Sequence, residues 1–390
     1  MKYKINFINE SYRRSYIEIW KEVMEAIHEC YSKGDFVLRD QLLKFERSLA
    51  KFVGTKYAAG VSSGTDALKL SYKALGLKPG DEVITVSHVF IAPIQEIVHS
   101  GARPVLIDIG EDGLMDPDLI ESSITEKTVG IVPVHLSGKV CEMDKIMKIA
   151  KKYNLWVVED SCQALGAKYK GKSAGSWGDI GCFSHIAPKT LGIGGDGGSI
   201  VTNDKKLYEK ILLLRNHWNI TQGVLHGHQP KQPKVMDWGY NARLDNIHAS
   251  TLLIKMRFYS RKLARRRQIA EMYNHGLSET QLLLPLQQKG QIYQEYICMP
   301  RTREERVKFC NFMRKKGVEL LVRDTTPNHV MYKWFFGELS LPVTEKHAEL
   351  SVRIPVYPEL TDSEVEYIIE RINEFYADGS VPKKTIIGRD

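Results

Sequence analysis

One lysine in this chain stands where a nucleophilic amine would be useful. Lys189 falls in the run Phe183-Ser184-His185-Ile186-Ala187-Pro188-Lys189-Thr190-Leu191-Gly192, which continues through a glycine-rich stretch to Ser199. Glycines on its C-terminal side let a backbone or a ligand approach closely, and Ser184 upstream offers a hydroxyl to an anion. A lysine so placed is a candidate Schiff-base former. Lysines beside glycines are also common in surface loops, so the run alone leaves both readings open.

Two further segments carry chemistry. Leu155–Asp160 reads as a short apolar strand ending in acid, and ligands of open α/β sheets collect at the carboxyl ends of strands. A carboxylate there suits the protonated ring nitrogen of a pyridine cofactor such as pyridoxal phosphate; capping the next helix is the alternative. Ser63-Gly64-Thr65-Asp66 follows the β-like Tyr57–Gly60 and precedes Leu68, Tyr72 and Leu75, one face of a helix. Such a turn offers backbone N–H groups, a hydroxyl and a helix dipole to a phosphate, or is simply a helix cap.

In their joint order, these segments resemble the DegT/DnrJ/StrS sugar aminotransferases, within the fold-type I pyridoxal phosphate enzymes. The resemblance extends through Gly34-Asp35-Phe36, Asp81-Glu82-Val83-Ile84, Pro133-Val134-His135-Leu136, Glu159–Gly166, Gly239–Arg243 and Leu341–Glu345. It implies that Lys189 bonds the cofactor and later moves a proton on the donor, that Asp160 holds the pyridine nitrogen, and that Gln163 meets the phenolic oxygen. Gly64, Thr65 and Ser184 would hold the phosphate, and Phe90 would stack on the ring. Asn241 would reach the phosphate from a second subunit of a homodimer, with Arg243 near the same junction. Pyridoxamine phosphate would be the intermediate cofactor form.

Some positions depart from the family pattern. His185 replaces an aromatic and Thr190 an asparagine; His185 is a substrate-binding candidate, with a hydrogen-bond donor packed beside the cofactor phosphate as the alternative. The segment Gly317–Trp334 lacks the family's His-Tyr-Pro, so substrate identity does not transfer.

The remaining chain must position these groups. Strands are expected at Glu82–Val86, Pro104–Ile109, Gly130–Val134, Leu155–Glu159 and Ser199–Thr202, alternating with helices such as Tyr16–Tyr31: an α/β class with a mainly parallel sheet. A long helical pattern from Asn246 to about Asn274 leads to strands Tyr293–Met299 and Leu350–Pro355 and a closing helix Asp362–Phe375. The expected division is a large cofactor-binding domain (1–255), a smaller α+β domain (256–377) and a loose tail (378–390).

A net charge of +8 suits anionic small molecules, and the basic run Arg261–Arg267 reads as a solvated helix face rather than a nucleic-acid stripe. Six cysteines without a Cys-x-x-Cys pair indicate neither zinc nor a disulfide framework. With no signal-peptide core near Met1 and no long apolar run, a soluble cytoplasmic protein is expected. The expected activity is amino transfer, from glutamate, to a keto sugar on a nucleotide diphosphate. A sugar dehydratase, in whose known relatives histidine replaces the lysine, and a non-catalytic regulatory protein are the alternatives.

Overall fold

A computed structural model describes residues 3–218 and 237–377 of the 390; the expected tail lies outside the described residues. Its main strands are short and apolar: β1 (Tyr57–Val61), β2 (Glu82–Val86), β3 (Arg103–Ile107), β4 (Thr128–Ile131) and β5 (Trp156–Asp160). A small hairpin, β6 (Lys168–Tyr169) and β7 (Lys172–Ser173), precedes β8 (Ile180–Ser184) and β9 (Gly198–Thr202). Seven of these form one sheet in the order β1-β9-β8-β5-β4-β2-β3. From β8 to β3 every pairing is parallel, while β9 runs antiparallel to both β1 and β8. The α/β class with a mostly parallel sheet is as expected.

Helices cover both faces, which is why the strands are apolar on both sides rather than alternating. Leu68 and Tyr72 of helix Gly64–Leu75 pack with Val158, Ile180 and Cys182 on one face. Leu42, Phe45 and Leu49 of helix Asp40–Val53 pack with Val157 and Phe183 on the other. Burying a side chain of this size contributes about 1.5–3 kcal/mol, so the two faces fix where the strand ends lie.

The helix Asn246–Gly276 passes from one core to the next. Its Leu252, Tyr259 and Leu263 belong to the large core; Ile269, Ala270 and Tyr273 belong to a second, with Phe309, Ile354 and Ile368. That second body holds the antiparallel pair β10 (Tyr296–Cys298) and β11 (Val352–Ile354) and the helix Asp362–Ala377. Ile5 is buried in the same core and pairs with Val318.

Two expectations are corrected. The helical pattern Tyr16–Tyr31 is not one helix: Ile8–Ile17 and Trp20–Lys33 meet at Glu18 and Ile19, where the chain turns and buries Ile19. The basic run Arg261–Arg267 is not simply a solvated face. Arg266 is buried and donates to the carbonyls of Tyr293, Gln294 and Val356, Arg267 to that of Gln291. Lys262 meets Glu18 and Glu359, and Arg265 meets Asp362, so the run fastens the long helix to its neighbours.

Candidate active site

Parallel pairing of β5 with β8, with Asp160 opposite Cys182, sets Asp160 and Ser184 at neighbouring carboxyl ends. Side chains alternate along a strand, so Cys182 and Ser184 share the face covered by helix Gly64–Leu75. Ser63 caps that helix, its Oγ accepting from Asp66 N at 3.0 Å. A Cβ on Gly64 would lie 2.8 Å from Ser184 Cβ and 3.0 Å from Cys162 Sγ. Glycine is therefore what lets the helix start sit against the serine. The start of a helix thus lies beside the Ser184 hydroxyl, a combination that suits an anion.

Asp160 is 7 % exposed, and its Oδ1 accepts from Cys162 N at 3.1 Å. Burial pushes the Cys162 thiol well above its ordinary pKa; the Asp160 charge adds to the rise and the Lys189 charge opposes it. Aspartate and lysine thus act on one sulfur, across the chain separation between β5 and the glycine run. Gln163 lies on the turn after Asp160, where its Oε1 accepts from Ser137 N at 2.9 Å, so its amide N–H groups remain the donating end.

The lysine is bracketed by a residue that no sequence pattern pointed to. Gln294 donates through Nε2 to Pro188 O (2.7 Å) and accepts at Oε1 from Thr190 N (2.9 Å), spanning Lys189 on both sides. Thr190 Oγ1 lies 2.6 Å from Tyr259 Oη, which donates to Leu165 O at 2.8 Å. A Cβ on Gly192 would come within 2.6 Å of the carbonyls of Ile186 and Ala187, so the tight return of the chain requires glycine. Glu159, which faces away from Asp160 by strand alternation, anchors the other side of β5. It accepts from the amides of Gly175, Trp177 and Gly178 and from His135 Nε2. His135 Nδ1 accepts from Cys141 N at 3.2 Å, which leaves Nε2 as the donor to Glu159.

His185 is corrected as a substrate-binding candidate. It is fully buried on the face opposite Ser184, packed edge-on against Phe45, with Nδ1 donating to Leu191 O and Nε2 accepting from Ser199 Oγ. Burial lowers its pKa to about 4, so it is neutral and holds β8 to β9 and to the lysine loop. Phe90 is 68 % exposed, Asn241 is exposed beside Asn216, and Arg243 Nη1 donates to Asn216 Oδ1 at 2.9 Å. The atypical segment proves to be tied to the turn that bears Phe90. Asn328 Nδ2 donates to Ser87 O (2.9 Å) and Val89 O (2.8 Å), and His329 bonds Ser87 Oγ and Glu345.

This donor set fits pyridoxal phosphate: a helix start beside a serine hydroxyl for a dianion, a buried carboxylate, an amide donor and a bracketed lysine. Fold and site together define a pyridoxal 5′-phosphate-dependent aminotransferase with a large α/β body and a smaller one. The chain belongs to the DegT/DnrJ/EryC1/StrS aminotransferase family, whose model matches residues 18–373. It is 35 % identical over 370 residues to a "pleiotropic regulatory protein" of Geobacillus stearothermophilus, covering 93 % of this chain and 96 % of that one. It is 36 % identical over 359 residues to a dTDP-3-amino-3,6-dideoxy-alpha-D-galactopyranose transaminase of Aneurinibacillus thermoaerophilus, covering 91 % and 95 %. Its fold is similar to that of DesV of S. venezuelae, with a TM-score of 0.88, 31 % identity and coverage of 96 % and 99 %. Among the described residues no cluster of three His, Cys, Asp or Glu is arranged for a metal, and no helix is long and apolar enough to cross a membrane.

Proposed function

We infer that this enzyme transfers an amino group, from L-glutamate, to a keto sugar carried on a nucleotide diphosphate. The observation that supports this best is the convergence of Gly64, Ser184 and Cys162 with Asp160 and Lys189 at the ends of β5 and β8. A transaminase acting on such a sugar among the relatives supports the substrate class. When bound, pyridoxal phosphate supplies the electron sink for carbanion chemistry. Lys189 Nζ is the covalent attachment point and the base that takes the proton from the donor's α-carbon. Asp160 keeps the ring nitrogen protonated, Gln163 donates to the phenolic oxygen, and Gly64, Thr65 and Ser184 hold the phosphate. Phe90 stacks on the ring. Asn241 acts from a second copy of the chain, with Arg243 beside it, so the active unit is a homodimer.

The division into a large domain (1–255) and a smaller one (256–377) is part of this proposal. The change of core along the helix Asn246–Gly276 supports it, while the pairing of Ile5 with Val318 favours assigning the first few residues to the smaller body. A cytoplasmic location agrees with six free cysteines. One second reading has an observation in its favour, a regulatory role, because one relative carries that name. Lys189 speaks against the dehydratase alternative. The deciding experiment loads the enzyme with pyridoxamine phosphate, adds a panel of nucleotide-linked keto sugars, and follows return of the aldehyde-form spectrum. No return with any sugar, together with no response to glutamate, would favour the regulatory role.

A further inference from the structure

The turn that carries Phe90 leaves the sheet at the end where Asp160 lies. β2 ends at Val86 and runs parallel to β4, and β4 runs parallel to β5, so Ser87–Phe90 emerges from the same edge of carboxyl ends. Phe90 is mostly exposed, so its own packing does little to fix the ring. Where the ring lies is set by the backbone on either side. The helix Ala92–His99 begins two residues later, and Ser87, His88 and Val89 before it are each less than a tenth exposed.

That preceding backbone is gripped by a distant stretch of the chain. Asn328 Nδ2 donates to the carbonyls of Ser87 and Val89, so both of its amide protons go to the two residues flanking His88. His329 donates its amide to Ser87 Oγ at 3.0 Å, and its Nδ1 lies 2.8 Å from the same oxygen. On the other side of the ring, Nε2 lies 3.2 Å from Glu345 Oε1, which also accepts from Leu341 N at 3.0 Å. The helix that bears Glu345, Pro342–Leu350, is fixed in turn beside β3, where Asp108 accepts from the amides of Val343 and Thr344. Ser87 is 1 % exposed, so this series of serine, histidine and glutamate presents no nucleophile to a substrate and serves to hold backbone.

We propose that Asn328 and His329 are positioning residues for Phe90: they hold Ser87–Val89 so that the ring stays at stacking distance from the cofactor. The segment Gly317–Trp334 then acts on cofactor binding through Phe90. This rests on the reading that Phe90 stacks on the cofactor ring. Stacked rings gain their attraction only within about 4.5–7 Å of each other, so an exposed ring on an unheld turn would lose much of it.

Titration of the full-length enzyme, stripped of cofactor, with pyridoxamine phosphate tests it, because that form binds without a covalent link and its affinity reads the ring contacts directly. Asn328→Asp keeps the side chain's shape but sets a carboxylate oxygen against the Ser87 and Val89 carbonyls. It is expected to weaken pyridoxamine phosphate by about two- to tenfold, the scale of one stacked aromatic pair, and to reduce the circular dichroism of the bound cofactor. Phe90→Ala should weaken binding at least as much. Adding Asn328→Asp to Phe90→Ala should weaken it no further, whereas a merely structural role would add its own loss. If Asn328→Asp fails to fold, Ser87→Ala, which removes the hydroxyl that His329 grips, takes its place in the same cycle. Unchanged affinity in Phe90→Ala would refute the stacking reading and overturn the proposal with it. Weakened binding in Phe90→Ala beside unchanged binding in folded Asn328→Asp or Ser87→Ala, or additive losses in the double variant, would overturn the positioning role alone.

Discussion

Replacing Gln294 by Leu keeps the side chain's bulk but removes both of its hydrogen bonds to the residues flanking Lys189. The carbonyl of Pro188 and the amide of Thr190 then lose their partners beside a side chain that is 9 % exposed. Each orphaned buried group costs about 1–3 kcal/mol, so two cost roughly 2–6 kcal/mol together. That cost has two outlets. Either the whole fold is destabilised by that amount, or the turn Ile186–Thr190 opens to water and Lys189 is no longer held. Denaturant melts measure the first outlet, while turnover and the yield of borohydride-trapped cofactor on Lys189 measure the second. Gln294→Glu sharpens the test, because a carboxylate still accepts from Thr190 N but faces the Pro188 carbonyl with no proton to donate. Wild-type stability together with wild-type turnover in Gln294→Leu would refute the bracket.

Three more outcomes are expected. Asp160→Asn should leave the fold intact while turnover falls by roughly 10²-fold or more, the loss expected for a positioned acid–base partner; near-normal turnover in steady-state assays would mean another group holds the ring nitrogen. His185 has a folded pKa of about 4, below its ordinary 6.5, so its contribution to stability is full above pH 6.5 and is lost as pH falls toward 4; urea melts of His185→Asn across that window should show a flatter dependence on pH than the wild type. Mixing inactive Lys189→Ala and Asn241→Asp chains should restore activity, because a heterodimer with shared sites has one site free of both lesions; verified heterodimers without activity would remove Asn241 from the neighbouring site.

What the sequence by itself determined is local. A capped turn at Ser63-Gly64, an apolar run ending at Asp160 and a lysine followed by glycines each depend on a few neighbouring residues, whose backbone preferences and hydrophobic spacing act at short range. Their order along the chain was enough to indicate the class of fold and the cofactor. Strand ends such as Ile107 and Ile131 came earlier than the apolar runs suggested: Ile107 lies opposite the end of β2, while the ladder after Ile131 is interrupted at Pro133, which has no N–H to donate, before Val134 bridges Asp160. Tertiary packing decided the rest. Whether His185 faced a ligand or the core turned on which side of β8 helix Asp40–Val53 would cover, and Phe45 settled it from far upstream. Gln294 and Tyr259 reach the lysine turn only because the long helix and the strand region beyond it fold back onto the sheet. Nothing in their own neighbourhoods marks them. A cavity that Lys139 lines likewise assembles from five stretches of chain and exists only once they meet. Contacts between residues remote in sequence carry no local pattern, and those contacts hold the lysine, orient the histidine and shape that cavity.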